Sequence, residues 1–97
     1  MAKFKHLLSP IKIGNLEIKN RGVMPSMVTN YCNEDGSVSD RFIAYHAARA
    51  KGGVGLNIVE AAYVDRIGKG FTNQIGIDND RLIPGLKKLT DKVHSNG

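Results

Sequence analysis

Tryptophan is missing from this sequence, and only three phenylalanines and three tyrosines stand in for it. Large aromatics carry much of the buried area of a small domain. The core that 97 residues can build from a 41% hydrophobic inventory is therefore thin. A single cysteine, Cys32, excludes an intrachain disulfide and fits a reducing compartment. No apolar run approaches the ~20 residues of a membrane helix. The N-terminus also lacks a secretory apolar stretch, because Leu7 and Leu8 run straight into Ser9 and Pro10. A soluble, cytoplasmic protein with no membrane partner is the expectation. Metal-ligand spacing is absent as well, since His6, His46 and His94 are dispersed; His46 and His94 read as structural or solvated. The glycines at 52, 53 and 55 follow a helix instead of opening one, the wrong context for cradling a phosphate.

Charge of one sign is in modest excess: fourteen Lys and Arg against nine Asp and Glu give +5. The cations are scattered from Lys3 to Lys92, without a stripe or interleaved aromatics. The excess describes a solvated basic surface and implies no nucleic-acid partner.

The residues that are present have a clear order. Ile11–Ile13 and Leu16–Ile18 alternate apolar and polar residues around Gly14-Asn15, a turn pair, so residues 11–18 read as a β-hairpin. A lone hairpin is marginal in water and needs a surface to lie against. A short apolar strand comes next near 22–25, ended by Pro25, and then a loop from Ser26 to Val38. Ser39 is placed to cap a helix over 40–51, with Asp40 at its positive end and Lys51 before Gly52 and Gly53 at its close. Phe42, Ile43, His46, Ala47 and Ala50 share one face of that helix. The nearly continuous apolar run near 55–60 predicts a strand covered on both faces. A polar loop then leads to a second helix near 84–95, with Pro84 confined to its first turn. The order hairpin, β, α, β, α predicts an α/β fold with parallel strands. Two strands cannot cover their own faces. We therefore expect a part of something larger, or a module that oligomerises through its open sheet.

The stretch Leu8 to Arg21 (LSPIKIGNLEIKNR) resembles the opening of the old yellow enzyme family of NADH:flavin oxidoreductases. Similarity continues in order through Val23-Met24, Asp35-Gly36, Ser39 to Arg41, Arg49 to Gly53, Gly55-Leu56 and Val59-Glu60. It runs on through Gly68 to Gly70, Gly76 to Asp78 and Val93-His94. Within that family the chain most resembles the 2-enoate and 2,4-dienoyl-CoA reductase branch. The resemblance implies the N-terminal portion of a (β/α)8 TIM barrel of about 250 residues or more, with its site at the carboxyl ends of the strands. It implies FMN as cofactor, NADH or NADPH as reductant, and a small-molecule activated alkene (an enoate or enone) as the hydride acceptor. Some relatives also carry an iron–sulfur cluster; that needs several cysteines, and here there is one, so any such cluster belongs to the rest of the parent.

Carried over residue by residue, the resemblance assigns Pro25, Ser26, Met27 and Val28 to one edge of the flavin, and Ala61 to the space left for its ring. The family order is small-Pro-Met, whereas here Pro25 precedes Ser26, and Val28 stands where relatives often have Thr or Cys. Tyr31 is a candidate substrate contact. Without the resemblance, Met24 and Met27 read as core methionines. Strand parity puts Asn57, Val59 and Ala61 on one face, so an axis-facing Ala61 makes Asn57 an interior amide in need of partners. No residue of the chain matches the family's catalytic acid or phosphate-binding loops, and the 97 residues alone are expected to be inactive. Two other readings stay open: a related flavin-barrel dehydrogenase of different chemistry, and a non-enzymatic oligomerising α/β module.

Overall fold

A computed structural model describes residues 3–97. Strands β1 (Ile11–Ile13) and β2 (Leu16–Ile18) form the expected antiparallel hairpin, with Ile11 opposite Ile18. Gly14 makes its turn at φ 61, a backbone conformation glycine reaches without steric cost. Strand β3 (Val23–Met24) pairs in parallel with β4 (Leu56–Asn57), and helix α1 (Asp40–Lys51) is the crossover between them. Helix α2 (Ile83–His94) packs against α1.

Local chemistry explains α1 well. Ser39 accepts from the amide of Phe42 at 3.1 Å and donates to the carbonyl of Tyr31, so one hydroxyl caps the helix and ties it to the preceding loop. At the other end, Gly53 takes φ 106. Phe42, Ile43, His46 and Ala50 are buried on one face, as the spacing predicts. Phe42 and Ile43 meet Leu89 of α2, Cys32 and Ile75, with Tyr31, Val38, Leu86 and Val93 packed around them.

The strands are shorter than their apolar runs. Only 23–24 and 56–57 form a ladder, extended by an amide of Ile58 donating to Met24 at 3.1 Å. Because paired residues of a parallel ladder point the same way, Met24 and Asn57 share the face under α1. Val23 and Ile58 lie exposed on the other face, which no described residue covers. The radius of gyration, 14.9 Å, exceeds the roughly 13 Å of a compact domain of this size, in keeping with that uncovered sheet.

Beyond β4 the polar loop is more ordered than its composition suggests. Tyr63 bridges Gly76 in parallel, and two 3-10 turns sit at Arg66–Gly68 and Asp80–Leu82. Asn79 caps the second turn by accepting from the amide of Arg81 at 2.9 Å.

Candidate functional site

The carboxyl ends of β3 and β4 lie side by side; two sets of contacts tie together the segments that leave them, and a third braces the segment after β4. The hydroxyl of Ser26 donates to the carbonyl of Val59 at 2.7 Å. Thr29 gives both its amide and its hydroxyl to the carboxylate of Glu60, at 3.0 and 2.7 Å. Gln74, buried, donates to the carbonyl of Ala61 at 2.9 Å and accepts from the amide of Gly70 at 2.8 Å. The segment after β3 and the segment after β4 are thereby one edge.

Of the residues assigned by resemblance, Pro25, Ser26, Met27, Val28 and Ala61 all lie exposed on these two segments. Met27 is 54% exposed and Val28 38%, which excludes the reading of Met27 as a core methionine; Met24, one strand position away from Pro25, is the buried one. None of the amides of Ser26, Met27 and Val28 donates to another described residue. Apolar side chains, a small residue and free amides on one edge suit a planar ring with polar atoms along its rim.

Tyr31 follows that edge, its amide donating to the Thr29 hydroxyl at 3.3 Å. Its ring lies 3.7 Å below the guanidinium of Arg41 and edge-on to Tyr45 at 5.7 Å, and it packs against the core. Its hydroxyl has no hydrogen-bond partner among the described residues.

Asn57 turns away from the uncovered face. Its Oδ1 lies 2.9 Å from Nδ1 of His46 and its Nδ2 donates to the His46 carbonyl at 3.3 Å. Parity does not carry from Ala61 back to Asn57, because the ladder stops before Val59. Cys32 is buried, and desolvation pushes its thiol up to about 12, so the thiolate is scarce at neutral pH. Among the described residues no three His, Cys, Asp or Glu side chains group as metal ligands, and no helix is long and apolar enough to cross a membrane.

Sequence reasoning missed Thr29 and Gln74. A lone hydroxyl in a loop carries no pattern, and its partner Glu60 lies 31 residues away.

Residues 6–97 match the NADH:flavin oxidoreductase / NADH oxidase family, and the chain belongs to it. Among curated proteins it is 51% identical over 98 residues to an NADH oxidase of Thermoanaerobacter brockii, covering 100% of the chain and 15% of that protein. A metal reductase of Desulforamulus reducens is 41% identical over 91 residues, 94% of the chain and 13% of that protein. Among solved structures, a 2-naphthoyl-CoA reductase in complex with 2-naphthoyl-CoA superposes with TM-score 0.94 at 41% identity, over 97% of the chain and 14% of its own. The old yellow enzyme of Pichia sp. AKU4542 gives TM-score 0.87 at 32% identity, over 95% of the chain and 24% of its own. The chain thus has the local fold of one part of these proteins and spans well under a third of each.

Proposed function

We propose that the protein carrying this chain is an FMN-dependent oxidoreductase that passes hydride from NADH or NADPH to an activated alkene, and that these residues form one wall of its flavin site within a TIM barrel. The observation that carries this reading is the shared edge after β3 and β4: exposed Met27 and Val28, exposed Ala61, and three free amides between two pinned ends. FMN, when bound, supplies the two-electron chemistry.

The chain's own residues bind and orient. Met27 and Val28 offer an apolar surface, Ala61 leaves room for a ring, and the amides of Ser26 to Val28 are available to its polar rim. Tyr31, its ring held under Arg41, has a free hydroxyl for a substrate. Relatives include an NADH oxidase, a metal reductase and a 2-naphthoyl-CoA reductase, and an activated alkene is the acceptor proposed for this one. FMN stoichiometry of the purified full-length protein, followed by anaerobic reduction with NADH and NADPH and reoxidation by an enoate, tests it. A protein that takes up FMN, is reduced and is reoxidised by the enoate supports the reading. One that takes up no FMN contradicts it.

A further inference from the structure

We propose that Glu60 is the positioning residue of this flavin-facing edge: it pins the segment after β3 through Thr29, and its buried negative charge holds the flavin potential down. The inference rests on the flavin reading of the same edge.

Geometry supports the first half. Val59 and Glu60, adjacent in sequence, hold the two ends of Ser26–Thr29, one through a backbone carbonyl and the other through both carboxylate oxygens. Met27 and Val28 are suspended between these pins, exposed and with free amides. Thr29 also accepts from the amide of Tyr31 at 3.3 Å, so the pin reaches the first residues beyond the edge. Releasing it frees the backbone that would face the ring.

Charge supports the second half. Glu60 is 3% exposed, both oxygens act only as acceptors, and no described Lys or Arg pairs with it. Burying a carboxylate is costly, and the two donors of Thr29 are what its oxygens have in return. His46 feels its field, but burial drives the imidazole toward its neutral form, so no countercharge comes from that side. Reduction adds electrons to a flavin, and a nearby fixed negative charge opposes this.

Two variants of the full-length protein separate the halves. Glu60→Gln keeps the shape and can keep both contacts, because its amide can donate to the Thr29 hydroxyl; it removes the charge. Its FMN content should match the wild type. Its affinity for reduced over oxidised FMN should rise about tenfold, which is about 30 mV for a two-electron couple. Glu60→Ala removes the pin, and amide exchange at Thr29 and Tyr31 in the FMN-free protein should accelerate at least tenfold. An unchanged potential in Glu60→Gln, or unchanged exchange in Glu60→Ala, overturns the proposal. A wild type without FMN contradicts the flavin reading instead, and the exchange measurement still decides whether Glu60 is the pin.

Discussion

Nδ1 of His46 faces Oδ1 of Asn57 at 2.9 Å, and this contact fixes which imidazole nitrogen carries the proton. Because Nδ2 of Asn57 donates to the His46 carbonyl, its Oδ1 must accept, so Nδ1 is the protonated nitrogen. Nε2 is left buried, without a partner among the described residues. Protonating it would place an unpaired donor in the interior, and desolvation accordingly lowers the His46 pKa below 6.5. A group depressed in the folded state is protonated first in the unfolded chain. Its stabilising share is complete above the unfolded value and is lost as pH falls from 6.5 through the folded pKa. Urea midpoints should fall across that window, and His46→Gln should remove the slope. A slope that survives in the variant contradicts this account of His46. The low pKa of Asp35, caused by its bonds to Ser37, acts below 3.8.

Tyr63 sits in a slot between two glycines. A Cβ at Gly36 would lie 2.1 Å from its hydroxyl oxygen, and one at Gly76 would lie 2.6 Å from Cζ. Gly36 also has φ 87, which costs another residue about 1–2 kcal/mol. Gly36→Ala and Gly76→Ala should each destabilise by about 1–3 kcal/mol through overpacking, Gly36→Ala the more. Adding Tyr63→Ala should relieve Gly76→Ala more fully than Gly36→Ala, because strain at φ 87 does not depend on the ring. Denaturant titration of the double-mutant cycles measures this, and strict additivity would argue against the slot.

Cys32 should resist alkylation in the native state. Its thiol is buried and pushed up to about 12, so at pH near 8 it should react with iodoacetamide far more slowly than in urea. Mass spectrometry over time reads the difference. Equal rates in both states would place Cys32 at the surface.

Val28 faces outward at the edge with only its amide to offer as a donor. In the full-length protein Val28→Thr adds a hydroxyl there. A hydrogen bond to a charged group contributes roughly 1.5–3 kcal/mol, and ~1.4 kcal/mol is about 30 mV for two electrons. The FMN potential should therefore rise by some tens of millivolts and slow reoxidation by the alkene. Spectroelectrochemical titration decides it, with an unchanged or lower potential counting against a flavin-facing Val28.

Much of the fold is legible in the sequence because it depends on neighbours along the chain. The Gly14-Asn15 turn, the Ser39 cap and the Phe42–His46–Ala50 face are local, and the structure has each of them. The features that escape depend on contacts between distant residues. The apolar run 55–60 reads as a strand, yet only 56–57 pair, because Val59, Glu60 and Ala61 give their polar groups to Ser26, Thr29 and Gln74 instead. The exposed edge residues Met27, Val28 and Ala61 are legible only through family resemblance. Apolar character alone places Met27 in a core.

The central claim is that the edge after β3 and β4 is a flavin wall, and the FMN-to-protein ratio of the full-length protein with Ala61→Trp tests it most directly. Ile67, 95% exposed in the 3-10 turn, serves as the control through Ile67→Trp. The account predicts that Ala61→Trp folds but loses most of its FMN, because the indole occupies the ring's space, while Ile67→Trp keeps a full complement. Full FMN occupancy in a folded Ala61→Trp protein would contradict it.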